Sequence, residues 1–447
     1  DMAGREAVAE VWLWGVQVGA VSWDRARQLG MFEYTSRFQG SGIELAPITM
    51  PLGPGIHAFP GLARESFHGL PGLLADSLPD RFGNSVIDAW LARTGSSPAD
   101  FSPVDRLLYI GMRGMGALEF RPAREGRGGS RPLDVAELVA LANEVLAERD
   151  GFRVDLGEDG AERRTAMNDI LQVGVSAGGA RAKAIVAWNP DTNEIRSGQV
   201  TAPDGFGYWL LKFNGVTGNR DKETLADPLG YGLIEYAYYL MARAAGIEMS
   251  ACRLLVENGR RHFMTRRFDR TDTGRRLHMQ SLCAMAHLDF NEAGAHGYEQ
   301  AFQVIERLGL GKDAIEEQFR RMVFNVAARN QDDHTKNIAF LMDRRGRWSL
   351  SPAFDVNLAY NPAGKWTNRH QMSINGKRDD ITRDDLLAVA DRFRITLPRA
   401  SAMIDDIARA VARWPEFAEE AGVRSGRINE IGKVHRDLGR LPAKMSH

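Results

Sequence analysis

Cysteine is nearly absent from this chain: only Cys252 and Cys283 occur in 447 residues. Two thiols cannot build a disulfide framework. Each is expected to pack as a small buried apolar side chain, and a reducing cytoplasm fits. Neither sign of charge prevails. Lys and Arg total 57 against 58 Asp and Glu, a net charge of −1. That balance gives no sign of a wholesale nucleic-acid or membrane binder while leaving room for a local basic patch. No apolar run approaches the ~18 residues of a membrane span. The opening residues, Asp1-Met-Ala-Gly-Arg-Glu6, lack a basic-then-apolar leader pattern. Internal repeats and low-complexity tracts are missing, as are a Cys/His cluster with zinc spacing and a Gly-x-Ser-x-Gly elbow. The expectation is a soluble cytoplasmic globular protein of two or three domains.

What is present changes texture along the chain. Residues 8–23 alternate through Val11, Leu13, Val16, Val18 and Val21, the pattern of a β-hairpin or meander. Gly and Pro punctuate 40–72, and 73–92 reads as a turn feeding a helix. A polar, basic, Gly-rich stretch at 121–132 marks a boundary, and the capping box Asp134-x-x-Glu137 opens a helix after it. Short strands follow from 172: Gln172–Ser176, Ala184–Trp188, Tyr208–Phe213, Leu254–Val256 and His262–Phe268. One helix, Leu233–Ala245, interrupts them, and Gly246 is its natural stop. After 298 the helical period dominates, with Phe302, Ile305 and Leu308 on one helix and Phe319, Met322, Val323 and Val326 on another. Leu386–Phe393 and Ala402–Trp414 form a helical tail.

The densest signal is Asn330-Gln-Asp332-Asp333-His334-Thr-Lys336-Asn337, followed by Ala353-Phe354-Asp355. An Asp and an Asn five positions apart, with a later Asp after an aromatic residue, is the spacing of a kinase catalytic loop and its metal site. In that reading Asp332 takes the proton of an acceptor hydroxyl. Asn337 offers a carbonyl oxygen and Asp355 a carboxylate, both hard ligands for Mg²⁺. A helix predicted at 315–330 ends just before the loop, and Ala339–Met342 with Trp348–Leu350 form the hairpin leading to Asp355. The bland alternative is a solvated Asp-rich turn.

Other residues extend the reading. Lys212 ends an apolar strand, where phosphate oxygens would satisfy its ammonium; the alternative is a lysine snorkelling from an edge strand. Glu235 on the next helix is a candidate partner. Val173-Gly174-Val-Ser176-Ala-Gly178-Gly179-Ala180-Arg181-Ala-Lys183 has the small residues that let backbone N–H groups approach phosphates. It is neither Walker A nor Gly-x-Gly-x-x-Gly, and a plain tight turn has the same composition. Ser176 within it is a candidate phosphorylation site. Arg266-Arg267-Phe268-Asp269-Arg270 stands where a hinge backbone would read an adenine edge, or where a strand ends in structural ion pairs. His287 and His334 read as structural.

Taken together these motifs resemble the HipA family of bacterial serine/threonine kinases, toxin partners of HipB-type antitoxins. The resemblance spans most of the chain. The family's N-terminal module is similar to Val11–Gly19 and Leu73–Asp80, and its phosphate loop to Ser176–Lys183. Its ATP lysine falls on Lys212, its hinge on Arg266, Arg267 and Phe268, and its Asp-x-His-x-Lys-Asn loop on Asp332–Asn337. Its metal Asp falls on Asp355. The resemblance implies ATP and Mg²⁺ as cofactors and Asp332 as the catalytic base. It implies metal ligation by Asn337 and Asp355, and nucleotide contacts from Ser176, Gly178, Gly179, Ala180, Arg181, Lys183, Lys212, Arg266, Arg267, Phe268, His334, Lys336 and Asp355. It also implies self-phosphorylation at Ser176, a HipB-like helix-turn-helix antitoxin as partner, DNA met only through that antitoxin, and a protein substrate such as an aminoacyl-tRNA synthetase. This sequence departs from the family at Arg181, where Gln is common.

The fold class expected is α+β: a protein-kinase-like two-lobed fold with an additional β-rich N-terminal module and a helical C-terminal lobe. The expected divisions are 1–125 for the N-terminal module, 126–270 for a kinase N-lobe with linker helix and glycine-rich loop, and 271–447 for a helical C-lobe with the catalytic loop. The chemistry would lie between the lobes. Two other readings stay open. One is an inactive relative acting as an antitoxin-bound co-repressor, for which the basic segment Arg424–Lys444 leaves room. The other is a small-molecule kinase, since any hydroxyl acceptor needs the same loop.

Overall fold

The computed structural model describes residues 7–79, 84, 101–112, 114–123, 183–192, 195–198, 202, 204–212, 230–257 and 260–438. The chain divides into two compact units that interleave in sequence. The first takes 1–221, 266–287 and 340–348; the second takes 222–265, 288–339 and 349–447.

The first unit begins with the expected meander. Strands β1 (Val8–Leu13) and β2 (Val16–Asp24) pair antiparallel around Trp14 and Gly15. Both turn residues have positive φ, +50° and +85°, the two-residue hairpin whose twist matches its strands. Tryptophan is costly there. Its indole N–H donates to the Arg276 carbonyl at 2.8 Å, which fixes it in place. With β3 (Leu29–Tyr34), β4 (Ile56–His57) and β5 (Leu118–Pro122) the sheet runs β4-β3-β2-β1-β5. Ala9, Val11 and Leu13 face inward as the alternation predicts. Helix Pro103–Ile110 starts at a capping box: Ser102 Oγ accepts from Asp105 N–H, and the Asp105 carboxylate accepts from Ser102 N–H at 2.8 Å. A second, three-stranded antiparallel group comprises β6 (Lys183–Trp188), β7 (Ile195–Ser197) and β8 (Gly207–Lys212), with β6 in the middle.

Two polar clamps tie 266–287 to the N-terminal part of the same unit. Asp269 is fully buried and accepts from Arg267 at 2.8 and 2.7 Å, from Arg270 at 2.8 Å and from Gly116 N–H at 2.7 Å. Burial opposes ionisation, but the two guanidinium groups outweigh it and hold the carboxyl well below its ordinary range. Asp76 accepts from Ser281 N–H and Oγ at 2.6 and 2.8 Å, and Ser281 in turn caps helix Leu282–Ala286. His287 ends that helix in the left-handed region. Its Nε2 accepts from Gly72 N–H at 3.0 Å, and its ring stands edge-on to Phe59 and Phe67. This is the structural role expected for it. Both cysteines are buried, as expected.

The second unit is mostly helical. Its hairpin, β9 (Cys252–Glu257) and β10 (Arg260–Arg266, of which Thr265 is the unit's last residue), follows helix Tyr231–Ala244. Gly246 stops that helix at φ +82°. Helices Tyr298–Arg307 and Gly311–Ala327 carry the two predicted apolar faces: Phe302, Ile305, Phe319, Met322, Val323 and Val326 are all inaccessible. The tail comprises Arg383–Arg392, Leu397–Ala412, Trp414–Ala421 and Ser425–Val434. Phe302 stacks on Phe393 at 4.7 Å and Tyr238 meets Trp414 edge-on at 5.3 Å. Among the described residues no helix is long and apolar enough to cross a membrane.

Burial pushes His278, His287 and His435 down to about 4, with Arg329 adding to the effect at His435. In the unfolded chain each protonates near ~6.5. Between those values the unfolded state binds more protons, so stability falls as pH drops from 6.5 towards 4. The urea midpoint should be clearly lower at pH 5 than at pH 7; equal midpoints would contradict the neutral, buried state of these rings.

Candidate active site

Helix Gly311–Ala327 delivers the chain to the Asp-rich loop, close to the predicted position. The Ala328 carbonyl accepts from the buried Tyr238 hydroxyl at 2.7 Å. Arg329 turns the chain at φ +58°, and Asn330 then bridges in parallel to Ala359. Gln331 N–H donates to the Ala359 carbonyl at 2.9 Å. Side chains alternate across the loop that follows: Asp333 points in, while Asp332 and His334 stay partly accessible.

Asp333 is the buried anchor. Its carboxylate accepts from Tyr298 Oη at 2.7 Å, His370 Nδ1 at 2.7 Å and Gln371 N–H at 2.8 Å. Burial and the adjacent carboxylate hold the Tyr298 phenol well above its ordinary value, so it stays a donor. Asn325 Nδ2 donates to the same phenol oxygen at 2.9 Å, and Asn330 Nδ2 donates to Asn325 Oδ1 at 2.9 Å. Loop, helix and the 366–371 segment thus share one polar network centred on the Asp333 carboxylate.

Asp332 is 43% exposed at its side chain and accepts from the Trp366 indole N–H at 2.5 Å. His334 Nε2 stands 4.0 Å from the same oxygen. A single 3₁₀ turn, Thr335–Asn337, closes the loop; Thr335 Oγ1 donates to the Leu288 carbonyl at 2.8 Å. Asn337 Nδ2 donates back to the Asp332 carbonyl at 2.8 Å, which turns Asn337 Oδ1 into the available acceptor. The Lys336 ammonium sits 4.5 Å from the centre of the Phe290 ring, which also packs against His334.

Asp355 reaches the same place from the other side of the unit. Ala353 N–H donates to the Glu248 carbonyl at 2.8 Å and Arg321 Nη2 to the Ser351 carbonyl at 2.8 Å, fixing the approach. Asp355 itself lies at φ +52°, a left-handed conformation that Asp tolerates better than most residues and that recurs at functional sites. Asn337, Asp355, Asp333 and His334 all line one pocket, with Phe354, Phe324 and Tyr298 among its walls. No group of three His, Cys, Asp or Glu able to hold a metal occurs among the described residues. Two hard oxygen donors lining the same pocket do suit Mg²⁺, which keeps much of its shell as water and phosphate oxygen.

The remaining predicted residues distribute as follows. Lys183 and Lys212 are register partners on β6 and β8 of the first unit, so their side chains lie on one face of the sheet. Lys183 is buried and Lys212 half-buried. Glu235 is buried on its helix in the second unit. Arg266 pairs with Asp272 at 2.7 Å and Arg267 with Asp269, the ion-pair geometry; Arg267 N–H donates to the Tyr208 carbonyl at 2.8 Å. Ser176, Gly178, Gly179, Ala180 and Arg181 lie outside the described residues, as do the helix at 134 and the segment beyond Leu438. Sequence reasoning missed Asp333, Tyr298, His370, Gln371 and Trp366, because the bonds that join the Asp pair to these partners span 34 to 38 residues.

Fold and site together define an α+β protein of kinase-like fold whose Asp332–Asn337 loop has the residue spacing of a kinase catalytic loop. Residues 175–414 match the HipA-like C-terminal domain and 9–121 match the HipA N-terminal domain, so the chain belongs to the HipA family. HipA of Shewanella oneidensis MR-1, solved with HipB and operator DNA, has the same fold, with a TM-score of 0.63 and 16% identity over 95% of each chain. A putative kinase of Sinorhizobium fredii, Y4mE, is 24% identical over 450 residues, covering 95% of this chain and 96% of that one.

The two aspartates should separate cleanly by mutation. Asp333→Ala strands three buried donors and should cost about 3 kcal/mol or more. Asp332→Asn, at a partly exposed position, should stay within about 1 kcal/mol. Urea denaturation of both variants measures this, and equal costs would refute the division of roles.

Proposed function

We propose that this chain is an ATP- and Mg²⁺-dependent serine/threonine protein kinase and the toxin of a HipBA-like toxin–antitoxin pair. One observation carries the reading. Asn337 and Asp355 open onto one pocket, while the Asn337 amide is bonded to the backbone of Asp332. Asp332 and Asn337 are thereby coupled within a single loop, and Asp355 shares the pocket with Asn337. Asp332 would accept the proton of the acceptor hydroxyl late in transfer, and Asn337 Oδ1 and Asp355 would hold the cation. Bound Mg²⁺ supplies neutralisation of the phosphate oxygens. Lys183 and Lys212, side by side on their sheet face, are the proposed phosphate contacts.

A HipB-like helix-turn-helix antitoxin is the proposed partner, supported by the Shewanella HipA assembly with HipB and operator DNA. DNA would be met only through that antitoxin. The proposed target is a translation factor such as an aminoacyl-tRNA synthetase, whose phosphorylation would slow growth in the cytoplasm. Ser176 is the proposed site of self-phosphorylation.

Incubation of the purified chain with Mg²⁺, γ-labelled ATP and a cell lysate should label a discrete acceptor. Asp332→Asn should lower the rate by ~10²–10⁴-fold while ATP still binds. Transfer at the wild-type rate by that variant would refute the assignment of the base, and failure of the wild type to bind ATP with or without Mg²⁺ would favour a non-catalytic co-repressor.

A further inference from the structure

Asp332 poses a positioning problem. A carboxylate that is 43% exposed on a two-torsion side chain samples several rotamers unless something holds it. The Trp366 indole N–H meets Asp332 Oδ1 at 2.5 Å, a charge-assisted hydrogen bond. Trp366 is itself held by the loop it serves. Its carbonyl accepts from Gln371 Nε2 at 2.5 Å, and the next carbonyl, Thr367, accepts from Gln331 Nε2 at 2.9 Å. Gln371 N–H and His370 Nδ1 end on Asp333 at 2.8 and 2.7 Å. Gln331, Asp332 and Asp333 are therefore each bonded to the 366–371 segment, and the outermost of those bonds falls on the proposed base.

We infer that Trp366 is a positioning residue for phosphoryl transfer: its indole N–H sets the rotamer of the Asp332 carboxylate. This inference rests on the proposed role of Asp332. Trp366 is half-buried rather than part of the apolar core, so the indole N–H, more than the ring's bulk, is the feature this geometry uses. The hydrogen bond acts on the acceptor side of the reaction. Its loss lowers kcat and leaves the KM for ATP where it was.

The test uses the full-length chain. Trp366→Phe removes the N–H and keeps an aromatic ring. Replacing the indole of Trp366 with benzothiophene keeps ring size and shape and removes only the donor, which covers the case in which Trp366→Phe folds poorly. Both should lower kcat by roughly 10- to 100-fold with an unchanged KM for ATP. The ¹⁵N-indole resonance absent from Trp366→Phe is that of Trp366, and it should move in Asp332→Asn as its acceptor changes from charged to neutral. A wild-type chain that transfers phosphate while the benzothiophene form matches its kcat overturns this role and leaves the kinase reading intact. A rise in kcat would make the indole an inhibitory cap and equally overturns it. An indole resonance indifferent to Asp332→Asn removes the hydrogen bond itself. A wild-type chain inert toward ATP removes the activity and this role together.

Discussion

The site depends on one buried anion. Asp333 gives up hydration on entering the second unit, and the loss is offset because three donors converge on its carboxylate from two sequence-distant segments. Helix Tyr298–Arg307 contributes a phenol, and the segment ending at Gln371 contributes a ring N–H and a backbone N–H. A carboxylate satisfied this way has little freedom to turn. In locally extended chain, turning one side chain inward sends its neighbours outward, so the burial of Asp333 is what presents Asp332 and His334.

The same arrangement explains why the loop is rigid without being regular. Its first half is held by backbone pairing with Ala359, its middle by Asp333, and its end by a 3₁₀ turn that Thr335 fastens to Leu288. Asn337 then bonds back to the Asp332 carbonyl, so the 332–337 interval is closed by a side chain of its own. The five-residue spacing has a mechanical basis: it is the length at which one 3₁₀ turn brings an amide back to the carbonyl where the loop turned outward.

Features built from near neighbours were legible in the sequence. The alternation of 8–23 reads directly as β1 and β2, because a one-residue error would put Val11 and Leu13 on the wrong face. Helix Gly311–Ala327 follows from four apolar positions at helical spacing. Asp332 and Asn337 could be read as a pair because their spacing falls within one loop, and Asp355 because it follows an aromatic residue. Asp333, flanked by Asp332 and His334, was invisible as an anchor, since nothing nearby shows that Tyr298 and His370 will reach it. Trp366 was hidden for the same reason: 34 residues separate it from Asp332. The arginines after β10 offered two readings, and Arg267 takes the ion-pair geometry on Asp269, two residues away.

The interleaving of the two units sets a further limit on what a linear reading yields. Residues 266–287 and 340–348 pack within the first unit, although both lie between stretches of the second. Buried polar clamps accompany the first excursion: Asp269 binds Gly116 N–H, and Asp76 receives Ser281. Each clamp joins residues more than 150 positions apart, and each would leave a buried charge or donor exposed to no partner if the segment packed elsewhere. Such contacts penalise alternatives more than they reward the native pairing, and apolar patterning alone cannot do this, because one hydrophobic face will accept another of similar shape. The adjacent aspartates apply that logic at the site: the inward carboxylate has few acceptable neighbours and so fixes the loop, while the outward one, partly exposed and met by the Trp366 indole, carries the lighter structural demand.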